Sequence, residues 1–186
     1  GKSKTEPTLR KTLAIGADKA IRIDAETIDG FFVAKQISEY LSSNQYDLVI
    51  AGRESIDYNG GMVPGLIAGL TKMNFVTNCI NIEIDNKSAT LEREIDGGKE
   101  ILSCELPLII GGQKGLVEES DLRIPNMRGI MQARQKPLEV LAAFNSDFKT
   151  NSVKFYKPVP RKEVKLVSPD NLDELINLLH NEAKVL

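Results

Sequence analysis

An α/β fold is what this sequence predicts, with a doubly wound parallel sheet extended by an antiparallel hairpin meander and ended by a C-terminal tail helix. Three observations carry the reading. Residues 6–70 alternate helical and strand-like periodicity in short units, the grammar of a parallel sheet with covering helices. From residue 74 the runs alternate strictly and are separated by tight turns. Residues 170–183 gather Leu172, Leu175, Ile176, Leu178 and Leu179 on one side of a helix.

The elements follow in order. Glu6 to Gly16 reads as a helix, with Thr5 as N-cap, Pro7 in the first turn and Gly16 as C-cap. In an alternating chain a strand should precede it, so a strand upstream of Gly1 is expected. Lys19 to Ile23 is a short strand, and Phe31 to Leu41 is a helix with apolar spacing at Phe32, Val33, Ile37, Tyr40 and Leu41. Tyr46 to Gly52 is a β-branched run that suits a buried parallel strand, and Gly60 to Leu70 a small-residue helix. Cys79–Ile84, Ala89–Ile95, Lys99–Cys104 and Leu106–Gly111 make up the expected antiparallel meander, with turns at Asp85-Asn86-Lys87 and Asp96-Gly97-Gly98. Ser120 to Lys136 interrupts with arginines, a proline and two methionines, Pro158 to Lys162 is an extended linker, and Ser168-Pro169-Asp170 caps the last helix.

Composition removes several classes of function. The chain has 186 residues, 41 % of them hydrophobic, enough for a sizeable core. Twenty-four Lys and Arg against 26 Asp and Glu give a net charge of -2, without the basic excess that a nucleic-acid binder needs. No apolar run approaches the roughly 20 residues that span a bilayer, so no membrane insertion is expected. Cys79 and Cys104 have no metal or disulfide spacing, which points to a reducing, cytoplasmic setting and to no metal site. His180 is the single histidine and is remote from both cysteines, so no catalytic constellation is assigned. Neither GxxxxGK[ST] nor GxGxxG is present.

Two segments do carry chemistry. Gly52-Arg53-Glu54-Ser55-Ile56-Asp57-Tyr58-Asn59-Gly60-Gly61-Met62-Val63 joins a buried strand to a helix, where a glycine-rich turn at a helix N-terminus exposes backbone N–H groups to a phosphate. On spacing alone, a ligand-free connection is the alternative. Met127, Ile130 and Met131 lie among Arg128, Arg134 and Lys136, either a solvated charge face or an adaptable protein contact.

Asp47 to Asp57, Leu91 to Gly98, and Gly129 to Arg134 followed by Lys136 to Val140 resemble, in order and spacing, the β subunit of electron transfer flavoproteins; Leu9 to Asp18 resembles that family's early helix. The resemblance implies an adenine-nucleotide-hydrolase-like domain over 1–145, with a recognition loop at about 112–134 and an extended arm over 146–186 that packs on a partner subunit. It implies about sixty further residues before the first helix. It also implies an electron carrier, not an enzyme, that pairs with an α subunit holding FAD. Such a pair takes electrons from flavin dehydrogenases such as the acyl-CoA dehydrogenase of fatty acid oxidation to an acceptor oxidoreductase. Residues 52–63 would hold a structural AMP, with Ser55 by the adenine, or a second FAD in bifurcating members. Gly61, Met62 and Val63 stand where the family commonly has Gln and Thr or Val. Ile124, Met127, Arg128, Ile130 and Met131 match the recognition loop, with Met127 as its apolar anchor, while Gln132 and Gln135 replace lysines. Glu94 matches a carboxylate facing the α subunit. A nucleotide-binding module of universal-stress type is the competing reading, although it needs neither the 93–98 hairpin nor the Met127 loop.

Overall fold

The computed structural model of the chain describes residues 1–160 and 163–185; Arg161 and Lys162 of the expected linker, and Leu186, lie outside the described residues. Residues Gly1–Asn151 form one unit and Ser152–Leu186 another. The first unit runs α1 (Glu6–Ala14), β1 (Ala20–Asp24), α2 (Gly30–Ser43), β2 (Leu48–Gly52), α3 (Val63–Thr71), β3 (Asn74–Asp85), β4 (Ser88–Ile95), β5 (Gly98–Glu105), β6 (Leu108–Gly112), α4 (Met127–Ala133) and β7 (Leu138–Ala142). The α/β class, the antiparallel extension and a C-terminal helix are those the sequence predicts. The parallel part is divided between two sheets: β1 pairs with β7, and the other five strands are ordered β2-β6-β3-β4-β5.

The last of the expected meander strands behaves differently from its neighbours. β6 leaves the meander and lies parallel to β2 on one side and to β3 on the other. Its sequence gives the reason. Leu108, Ile109 and Ile110 are all 0 % exposed, so apolar residues in succession serve both faces, which suits the middle of a sheet. On one face Ile109 meets Ala34 of α2 with Ile67 and Ala68 of α3. On the other, Leu108 and Ile110 pack with Val76, Cys79, Ala89 and Leu91, beneath the curled antiparallel strands.

β3 can serve both neighbours because its register slips between Val76 and Cys79, where Asn78 adopts φ 54°. Such a bulge bends the strand, so its first half follows β6 and its second half follows β4. Cys79 is sealed in this core, and burial pushes its thiol pKa up.

Smaller differences have local causes. Thr5 does not cap α1 through its side chain; its hydroxyl donates instead to Lys2 O. α3 begins at Val63, not Gly60, because Gly60 is tied to Ser55 in a small antiparallel bridge. β7 lies in a segment for which no strand is expected from the sequence; its Leu138 packs with Leu13, Ala20 and Ala133. In the second unit, Asn171 caps α5 (Leu172–Asn177) reciprocally, accepting from Glu174 N and donating to the Glu174 carboxylate. Leu178–Ala183 continues as a wider helical turn.

Candidate functional site

The strand-to-helix connection after β2 is a built turn. Ser55 N donates to Gly60 O at 2.9 Å and Gly60 N to Ser55 O at 3.2 Å, closing a hairpin over Ile56, Asp57, Tyr58 and Asn59, with Asn59 at φ 48°. All four of these residues are exposed, and Ile56 is 93 % so. Arg53 N donates to Gly112 O, while the Arg53 guanidinium pairs with Glu54 at 2.7 Å. The turn then feeds α3, whose N-cap Met62 gives no side-chain bond and whose second residue, Pro64, has no N–H to offer. Among the described residues nothing accepts from the backbone N–H of Gly61, Met62, Val63 or Gly65. Four orphan donors at the positive end of a nine-residue helix are what an anion would satisfy.

Glu94 lies at the end of β4, beside the carboxyl end of β6. Its side-chain oxygen accepts from Gln113 Nε2 at 3.0 Å, and Gln113 N donates to Cys79 O. Since Gly112 holds Arg53, a short run of backbone connects Glu94 to the 52–63 turn. Gly111, Gly112 and Gln113 thus border this turn, residues that the sequence analysis gives to the end of a meander strand and the start of the recognition loop and not to the nucleotide site. Their signal is the continuous apolar strand ending in Gly-Gly, which marks a parallel strand opening on a crevice.

The N-terminus of α2 supports the turn from the other side: a Cβ at Gly30 would stand 3.0 Å from Met62 Sδ. Asp29 caps α2 by accepting from Phe32 N, and its other oxygen accepts from Lys149 N at 2.6 Å and Thr150 N at 2.7 Å. Desolvation works against this carboxylate, but the Phe32, Thr150 and Lys149 N–H donors together outweigh it and hold its pKa below the usual range.

Ile124, Met127, Arg128, Ile130 and Met131 come together elsewhere, on and just before α4. The segment is a helix, not a loop: Asn126 caps it, accepting from Gly129 N at 2.8 Å. Met127 is 74 % exposed, and Ile124 and Met131 are exposed beside it. Two cations lock α4 to α1. Arg10 Nη1 donates to Ala133 O and Lys136 O at the end of α4, and Lys136 Nζ donates to Leu13 O and Ala17 O at the end of α1. Lys136 is therefore structural.

The electron transfer flavoprotein domain family matches residues 1–145. The chain is 30 % identical to electron transfer flavoprotein subunit beta of Bacillus subtilis, over its whole length and 77 % of that protein's. It is 31 % identical to the mitochondrial subunit beta of Oryza sativa subsp. japonica, over its whole length and 75 % of the relative's, and 31 % identical to the Syntrophomonas wolfei subunit beta, over 85 % of this chain and 62 % of that one. The chain belongs to the electron transfer flavoprotein family.

An electron transfer flavoprotein β subunit is an electron carrier rather than an enzyme, and this assignment displaces the universal-stress reading. The family match spans both the glycine-rich turn and the Met127 helix. Among the described residues, no three His, Cys, Asp or Glu are grouped to hold a metal ion, and no helix is long and apolar enough to cross a membrane. The structure keeps the two groups of site residues apart. Residues 52–63 with Glu94 border the carboxyl ends of β2 and β6, whereas Ile124 to Met131 stand on the α1–α4 layer that covers the β1–β7 pair.

Proposed function

We propose that this chain is the β subunit of a heterodimeric electron transfer flavoprotein: it pairs with an FAD-bearing α subunit, binds a structural AMP at residues 52–63, and docks flavin dehydrogenases such as an acyl-CoA dehydrogenase through Met127. Residues 1–145 act as the nucleotide-binding domain and 146–186 as the arm that packs on the α subunit. The observation that carries the nucleotide assignment is the set of unclaimed N–H donors at Gly61, Met62, Val63 and Gly65. They supply by backbone what Gln and Thr side chains supply in family members. Bound FAD supplies the redox chemistry, and AMP supplies none; the turn's own residues hold a phosphate and orient its nucleoside. Cys79 and Cys104, both free thiols, suit a reducing compartment such as the cytoplasm.

Mass spectrometry of nucleotide released from the purified heterodimer tests this reading. One AMP and one FAD per heterodimer are expected, and two FAD would overturn AMP in favour of a bifurcating-type site. Gly61→Val is the matching variant. A Cβ there meets Arg53 O at 3.4 Å and Glu54 Cβ at 4.0 Å, ordinary contacts, so the turn should fold while the added bulk screens the donors. AMP should be lost with little change in the melting temperature of the nucleotide-free protein; full retention of AMP would place the phosphate elsewhere.

A further inference from the structure

Resting on the docking reading above, we propose that the α1–α4 face docks in both directions: besides offering Met127, it receives in the groove between the helices an apolar side chain of the electron-transfer partner, flanked there by carboxylates. The groove, about 690 Å³, has an apolar floor that includes Ala14, Ile130 and Ala133, and Lys11 and Arg134 stand on its rim. The residues that line it include Arg10, Lys11 and Arg134 and no carboxylate, and Arg123, Arg128 and Lys136 lie on the same two segments, 7–17 and 122–138, in a chain whose net charge is -2. The cations differ in what they do. Arg10 and Lys136 are committed to helix ends, whereas among the described residues no carboxylate lies within 4 Å of Lys11, Arg123, Arg128 or Arg134. Glu6, the one acid of α1, is turned to Arg22. An apolar slot with two uncompensated cations, Lys11 and Arg134, in its lining matches a side chain such as Leu or Met on an acidic helix or loop; a wholly apolar partner would leave these charges facing it without compensation.

The test uses the complete flavin-loaded heterodimer with an acyl-CoA dehydrogenase as electron donor, and reads the half-saturation concentration at several salt concentrations. Lys11→Glu/Arg134→Glu should raise it about tenfold at low salt and flatten its salt dependence. Lys72→Glu/Lys87→Glu, which changes net charge equally on other surfaces, should leave it unmoved. Ile130→Asp should raise it at every salt concentration, and Met127→Ala should raise it as well. If Met127→Ala acts while the rim pair and Ile130→Asp do not, the docking reading stands and the inference about the groove falls. If none acts, both fall. Self-association of the heterodimer that these variants abolish would assign the groove to a second copy and would likewise overturn the proposal.

Discussion

Gly129 shows how a single residue fixes a surface. A Cβ built on it would lie far inside contact distance of Ala14 O, a backbone atom that cannot swing away. The missing side chain lets α4 settle on the last turn of α1, and Arg10 and Lys136 then close the joint from both ends. Gly129→Ala should therefore destabilise the protein by about 2 kcal/mol or more, where an ordinary exposed helix position gains about 0.5–1 kcal/mol from the same change, as read from denaturant midpoints. An unchanged midpoint would mean that α4 tolerates displacement. Asp29 acts at the same scale through its charge. A carboxyl with a depressed native pKa contributes stability that is fully present above its unfolded value of about 4 and is lost as pH falls through the native value. The Lys149 and Thr150 amides should lose protection from hydrogen exchange on that acid limb. Asp29→Asn should weaken their protection at neutral pH and remove the acid dependence; an identical acid profile in that variant would assign the titration to another group.

Elements were legible in the sequence wherever one periodicity governed one surface. The β3–β4 and β4–β5 turns stand where Asp85-Asn86-Lys87 and Asp96-Gly97-Gly98 put them, because alternation and turn residues specify a hairpin locally. The sequence of β6 predicts a fourth meander strand because a short apolar run declares itself a strand but not its partners. Its parallel pairing depends on β2, more than fifty residues away, and on a bulge at Asn78 that no local pattern marks. β7 has no local signal for a related reason: Leu138 to Ala142 is brief, follows a proline and gains its identity only from β1. In the candidate site, the glycine-rich turn was visible in the sequence, but the Ser55–Gly60 bridge, which exposes its tip and delays α3, was not. The central place of β6 has a measurable consequence. Ile109→Ala, which removes packing against both α2 and α3, should cost about 2–5 kcal/mol, whereas Ile101→Ala on the exposed face of β5 should cost under about 0.5. Equal costs would contradict the layering.

At the scale of the whole molecule, the first unit has three buried clusters, while in the second unit α5 carries no buried residue. Residues 152–160 form neither helix nor strand, and their large apolar side chains stand in solvent: Val153 is 94 % exposed and Val159 89 %, with Phe155 and Tyr156 close behind. Solvated apolar side chains in succession are the mark of a surface that another protein covers. Lys154, followed by Phe155, lies within this stretch and gives trypsin an accessible site there, whereas Lys157 is protected by Pro158 after it. The isolated chain should therefore be cut first after Lys154, well before the strands of the first unit, whose cleavage requires opening a packed core. Pairing with the α subunit should slow that first cut by about tenfold or more, as a peptide bond buried in an interface becomes available only through local release. Mass spectrometry of the early fragments, with and without the α subunit, makes the comparison. Protection confined to residues 152–185 would identify the arm as the element that grips the partner. Unchanged cleavage in the heterodimer would show that the arm stays in solvent and that the pairing surface lies in the first unit.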